Sequence, residues 1–279
     1  MQENAVPKKP VAFDLGLPTF VTPFAKWVLG LGEAEKIYAD IQLRKPPPST
    51  VSEFCRTVLA ELKTEYAVSK DDLEALRKIN GPLIFISNHP FGGLDALVLM
   101  AMMGEVRAEF QFMATSILSV IPELLPALVS VDILEKNRDP RANIAPLRKL
   151  YRSLSAGGML GMFPSGEVAT FDSWRARTTV ERPWNSHLGR IVHHSRATVV
   201  PVFIEGRNSL LFQYVGLAVP MIRIALLSRE ILRPRASIVL RIGKPIPYWE
   251  SQAYPDPGAL TLHFRERTFS LGPDWPTTN

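Results

Sequence analysis

Apolar residues recur at near-helical spacing between Phe20 and Gln42, with Phe24, Trp27, Val28 and Leu31 on one side and charges collecting towards the end. Residues 1–20 show no such period and read as a loosely ordered arm. Pro46-Pro47-Pro48 breaks the helix and makes a stiff spacer. A second amphipathic helix is predicted from Ser49 to Val68, with Val51, Phe54, Val58 and Leu62 on one face. A short third follows from Asp71 to Ile79, closed by Gly81-Pro82. Past Pro82 the period changes. Short β-rich apolar runs at Leu83–Ser87, Phe110–Met113, Leu128–Ile133, Met159–Phe163, Thr198–Ile204 and Ser237–Ile242 alternate with helical stretches at Asp95–Met103, Ala142–Ala156 and Ser186–His194. That alternation predicts an α/β fold: a partly parallel, mixed sheet flanked by helices, behind an N-terminal helical layer. The expected division is 1–80 for the arm and helical layer, 81–250 for the α/β domain and 251–279 for a C-terminal tail.

Composition narrows the class. Hydrophobic residues make up 46% and charged residues 21% of the 279, ordinary for a folded chain. The mean hydropathy of +0.05 is high for a freely soluble enzyme. Cys55 is the single cysteine, so an internal disulfide and a cysteine-built zinc site are both excluded, and a reducing compartment is the default. The opening MQENAVPKKPVAFD lacks the apolar core of a signal peptide. No uncharged apolar run reaches the roughly 18 residues that a spanning helix needs. Asn208 to Ile222 and Phe110 to Pro122 come nearest, and the protein is expected to lie on a membrane without crossing it. The formal charge of +5 is uneven: the window from Arg207 to Lys244 holds seven basic residues and one acid, Glu230, and the remainder sums to −1. The window reads either as a solvated face or as an attraction to an anionic surface. Nucleic acid is not expected, because no binding motif accompanies the charge.

Candidate chemistry centres on one loop. The apolar run Leu83-Ile84-Phe85-Ile86-Ser87 leads into Asn88-His89-Pro90-Phe91-Gly92-Gly93-Leu94-Asp95. Ligands of open α/β sheets bind beyond such strand ends. Gly92 and Gly93 let the loop curl, so that Asp95 can turn back on His89. A carboxylate on one ring nitrogen fixes the tautomer and leaves the other nitrogen to accept a proton. Asp95 is equally suited to capping the next helix, and His89 to an ordinary loop position. His187, His193 and His194 lie on or near one helix, but adjacent histidines point apart and no acid completes a set, so no metal is expected. Ser165 lacks the setting of a hydrolase nucleophile.

Asn-His followed shortly by Asp after a strand resembles the first signature of the glycerolipid acyltransferase family, which includes lysophosphatidate acyltransferases. Three further blocks resemble the family's in its order: Val129-Ser130-Val131-Asp132-Ile133-Leu134, then Gly161-Met162-Phe163-Pro164-Ser165-Gly166-Glu167, then Val199-Val200-Pro201-Val202-Phe203-Ile204. The resemblance covers about residues 80 to 245. It departs from the usual pattern in places. The family commonly has one residue fewer than the five here between His and Asp. Ser165 stands at the usual Glu, with Glu167 following the glycine, and the second-block arginine is missing at Ile133 and Leu134, with Arg138 and Arg141 nearby. With Gly206-Arg207-Asn208-Ser209 and Arg241-Ile242-Gly243-Lys244-Pro245-Ile246-Pro247, these departures look like the branch containing ornithine-lipid O-acyltransferases and bacterial proteins labelled haemolysins.

The resemblance implies an enzyme that moves a fatty acyl group from acyl carrier protein or CoA to a lipid-like acceptor, either a lyso-aminolipid or lysophosphatidate. It implies His89 as general base and Asp95 as its partner, with no covalent acyl-enzyme and no cofactor beyond the donor thioester. Asn88, Gly92, Gly93, Phe163, Pro164, Ser165, Gly166 and Glu167 are implied at the substrate, with backbone N–H groups near Gly92-Gly93 or Gly166 receiving the oxyanion. Arg175, Arg177 and Arg182 are candidate anion clamps. Peripheral attachment to the cytoplasmic face of the inner membrane is expected. The rivals are a thioesterase or esterase, in which water replaces the acceptor, an N-acyltransferase, and a non-enzymatic membrane-binding protein.

Overall fold

The computed structural model describes residues 31–43, 48–130, 144–235 and 237–273. The predicted arm, most of the helix predicted from Phe20, Pro46, Pro47, and Asp132, Ile133, Leu134, Arg138 and Arg141 lie outside the described residues. The strands are β1 (Glu65–Ala67), β2 (Leu83–Ser87), β3 (Gln111–Ala114), β4 (Leu128–Ser130), β5 (Met159–Met162), β6 (Thr198–Ile204) and β7 (Ser237–Ile242). Among the described residues they form one seven-stranded sheet in the order β1-β7-β6-β2-β5-β3-β4. β2 pairs in parallel with β5 and β6, as β3 does with β4 and β5, whereas β6 and β7 pair antiparallel. The carboxyl ends of β2, β5 and β6 therefore share one edge.

The helices are α1 (Leu31–Gln42), α2 (Val51–Glu61), α3 (Lys70–Arg77), α4 (Gly93–Val106), α5 (Ile144–Ser155), α6 (His187–Ser195), α7 (Leu210–Ala218), α8 (Pro220–Ile231), α9 (Tyr248–Ser251) and α10 (Pro257–Phe269). They cover both faces of the sheet, which explains why β2 is buried at every position. Leu83 and Phe85 meet the layer of α2, α3 and α4, whereas Ile84 and Ile86 meet α5, α6 and α10. Burying each such side chain is worth about 1.5–3 kcal/mol. Helix α4 is apolar on all sides because it lies between the sheet and α2, with Leu94 to Met103 all buried.

The helix predicted over Ser49–Val68 is corrected. Thr50 caps α2 by accepting from the Glu53 N–H at 3.1 Å, the helix stops at Glu61, and Lys63 turns the chain with a φ of 50°. Glu65–Ala67 then pairs in parallel with β7 at the sheet edge. Within 251–279, α10 opens on the Asp256 cap and buries Leu260 and Phe264 in the second core layer. The uncharged run after Asn208 is a hairpin of α7 and α8.

Candidate active site

Strand β2 delivers the Asn88–Asp95 loop to the sheet edge, and three anchors fix its shape. Asn88 is buried and its amide is committed to β6: Oδ1 accepts from the Ile204 N–H at 2.7 Å and Nδ2 donates to the Ile204 carbonyl at 2.9 Å. Asn88, implied at the substrate, thus also ties the loop to β6. The His89 carbonyl accepts from the Ala169 N–H at 2.8 Å, and the His89 N–H donates to the Glu181 carboxylate. Asn208 donates to the Phe91 carbonyl at 3.3 Å, and a Cβ at Gly206, whose φ is +124°, would stand 2.3 Å from the Phe91 ring. The Gly206–Ser209 motif is therefore the seat of the histidine loop.

Gly92, with a φ of +89°, reverses the chain so that Asp95 faces back on it. One carboxylate oxygen of Asp95, Oδ2, accepts from His89 Nδ1 at 2.9 Å, the Phe91 N–H at 2.7 Å and the Gly92 N–H at 2.8 Å. Asp95 is fully buried in the first turn of α4, where the helix dipole favours a negative charge. Helix capping and imidazole pairing are thus done by the same oxygen. Its other oxygen, Oδ1, is buried with no hydrogen-bond partner among the described residues. An Nδ1–H donated to Asp95 leaves Nε2 as the acceptor. The His89 ring stacks on Phe163, centroids 3.9 Å apart and planes 13° apart, and keeps 15% of its side chain exposed.

The block after β5 wraps round this pair. The Pro164 carbonyl accepts from the Asn185 N–H at 3.1 Å, and the Ser165 hydroxyl donates to the Glu167 carbonyl at 3.0 Å. Of the expected oxyanion donors, the Gly92 N–H donates to Asp95 and the Gly166 N–H to the Phe163 carbonyl at 3.0 Å. Gly93 holds the first position of α4, where an N–H has no acceptor within the helix. Glu167 is paired with Arg182 at 2.8 Å and Arg223 at 3.6 Å. Arg175 and Arg177 are exposed, and the Arg177 carbonyl accepts from Arg207 at 2.6 Å. Trp184 is buried, whereas Trp174 is 61% exposed. His194 meets Tyr151 edge-on at 4.4 Å and His193 faces Tyr248 at 6.4 Å, so the two rings diverge.

Sequence reasoning missed Glu181. It is buried, and its carboxylate accepts from the His89 N–H and from Trp184 Nε1 at 2.9 Å. Its one local signal is that it is the only acid between Ser173 and Ser186, amid three arginines. Burial pushes its carboxyl above the ordinary range, against the opposing pull of the Trp184 and His89 donors. A raised native value means that stability is complete below the unfolded pKa and is lost as pH rises through the native one. Glu181→Gln removes that loss. The melting temperature of the variant relative to wild type should therefore improve as pH rises from acid to neutral, and a gap flat in pH would contradict the assignment. Glu181→Ala frees the His89 backbone and should lower kcat by about tenfold to a hundredfold through misplacement of the ring.

A family model described as Acyltransferase matches residues 67–205, from the end of β1 through β6. Among curated proteins, the chain is similar to a Lyso-glycine lipid O-acyltransferase of Phocaeicola vulgatus, 24% identical over 194 residues that cover 66% of this chain and 67% of that protein.

Proposed function

The chain belongs to the acyltransferase family, and from that premise we propose that it acylates the hydroxyl of a lyso-aminolipid, drawing the fatty acyl group from a thioester of acyl carrier protein or CoA. The observation that carries this reading is the 2.9 Å pairing of His89 Nδ1 with buried Asp95, which leaves Nε2 as a base at the sheet edge. Nε2 takes the proton of the acceptor hydroxyl while its oxygen bonds to the thioester carbonyl carbon. Asp95 stabilises the imidazolium, and the Gly93 N–H at the start of α4 is a donor for the oxyanion. Collapse of the tetrahedral intermediate breaks the C–S bond, and the imidazolium returns its proton to the thiolate. No acyl-enzyme forms.

Two features favour an aminolipid acceptor over lysophosphatidate. The relative from Phocaeicola vulgatus is named for a lyso-glycine lipid and an O-acyl product. Glu167, between Arg182 and Arg223, makes an edge of mixed charge, suited to a headgroup with an ammonium and an anionic or amide group. A phosphate dianion would meet the Glu167 carboxylate as well as the guanidinium groups. Donors of that class support a reaction at the cytoplasmic face of the inner membrane, with peripheral attachment. Among the described residues no helix is long and apolar enough to cross a bilayer.

The test is mass spectrometry of the products formed by purified enzyme with an acyl thioester and a panel of lyso-aminolipids, lysophosphatidate or no acceptor. An O-acylated aminolipid as main product is expected. A phosphatidate product alone would replace the acceptor class, an amide would make the enzyme an N-acyltransferase, and free fatty acid alone would make it a thioesterase.

A further inference from the structure

Helix α7, Leu-Leu-Phe-Gln-Tyr-Val-Gly-Leu-Ala, carries no charged side chain, yet it is not an interior helix. Its inner side is accounted for: Phe212 and Gln213 are buried, and Gln213 accepts from the Phe171 N–H at 2.9 Å. Its outer side is apolar and open, with Leu210 53% exposed and Leu211 47%. Trp174, on the loop after β5, extends this surface by stacking on Tyr214 with centroids 5.8 Å apart and planes 8° apart. A surface helix ordinarily turns polar residues outward, and a contiguous apolar patch marks a place where something else belongs.

The rim says what that is. Arg175 and Arg177 are exposed beside Trp174 in the chain. Arg207 ties the rim to the patch: it donates to the Arg177 carbonyl and stands 6.0 Å above Phe171, whose ring meets Tyr214 at 5.6 Å. An apolar centre holding Trp and Tyr, fringed by arginines, matches a bilayer surface in which acyl chains take the centre and anionic headgroups take the fringe. The position fits as well. α7 leaves the same sheet edge as His89, and in the following helix Leu227 and Ile231 lie against Gly92 and Gly93 of the histidine loop.

We infer that this surface, centred on Leu210, Leu211, Tyr214 and Trp174, seats the protein on an anionic lipid bilayer and opens the active site towards it. The inference rests on the acyl-transfer reading for its purpose, since both the acceptor and the product are lipids, but its test does not depend on that reading. Flotation is measured with vesicles of phosphatidylglycerol and phosphatidylethanolamine and with vesicles of phosphatidylcholine. Wild type should float with the anionic vesicles, and less so as salt rises. Leu210→Glu with Leu211→Glu should lower the bound fraction at least about tenfold while leaving circular dichroism, and acyl transfer to a detergent-dispersed acceptor, as in wild type. Trp174→Ser, a single exposed change, gives the same readout if the double variant fails to fold. Flotation unchanged by either variant overturns the inference. So does a wild type that ignores vesicles but sediments as a dimer that the substitutions split, since the patch would then join two copies of the chain. Absence of acyl transfer by wild type on dispersed acceptor would strike the reaction instead and leave the flotation result standing.

Discussion

Replacing His89 with alanine is expected to lower kcat for acyl transfer by about three to four orders of magnitude, the scale of a lost general base. KM for the acceptor should change little, because the ring is only 15% exposed and offers the substrate one nitrogen. The fold should tolerate the change. The ring stacks on Phe163 at a partly open position, and its backbone is held independently by Ala169 and Glu181, so the stability loss should stay near 1 kcal/mol. His89→Gln separates base from shape, since glutamine refills much of the gap but removes no proton at neutral pH. It should be as inactive as the alanine variant. The acid limb of the pH–rate profile, which reports protonation of the base, should be missing from the residual rate of both. Near-normal turnover in either variant, with the acid limb intact, would mean that another group accepts the proton.

The sequence made the centre of the fold legible because the centre is locally over-determined. β2 is an unbroken apolar run of strand length, and the loop after it carries its own turn chemistry at Gly92 and its own acid at Asp95. β6 and β7 were legible for the same reason and have the predicted bounds. Elements defined by distant partners were not. β1 has three residues in an exposed–half-buried–exposed pattern, and it is a strand because β7 pairs with it. α10 reads as a tail in sequence because its charged residues mask Leu260 and Phe264, one turn apart on the buried side. Within the site, the His89–Asp95 pairing could be read from spacing, since both residues lie in one loop. Glu181 could not: it meets the His89 backbone from 92 positions away, and nothing in its own neighbourhood requires a buried acid. The motif puts Asn88 near the substrate by position, and the fold adds its bonds to Ile204. Motif residues are legible as a set, but their division between holding the loop and meeting the substrate depends on contacts that the chain makes at long range.

Asp95 is where capping and catalysis can be told apart, because one oxygen does both jobs and the other does neither. Asp95→Ala takes the acceptor from the Phe91 and Gly92 N–H groups and from the imidazole together. Leaving buried donors unmet should cost about 2–4 kcal/mol of stability, with activity lost as the loop rearranges. Asp95→Asn should behave differently. Its carbonyl oxygen can take the place of Oδ2 and keep all three donors, and its NH2 group then lies where Oδ1 has no hydrogen-bond partner among the described residues. The loop and the tautomer of His89 are preserved, but the negative charge that stabilises the imidazolium is gone. The expected result is a melting temperature near wild type, with kcat lower by about a hundredfold to a thousandfold. If Asp95 served only as a helix cap, the asparagine variant would keep activity within a few-fold, because asparagine caps as well as aspartate does. Stability retained while turnover falls is therefore the signature of a carboxylate whose charge is used in the reaction, and stability and turnover falling together in both variants would reduce Asp95 to a structural role.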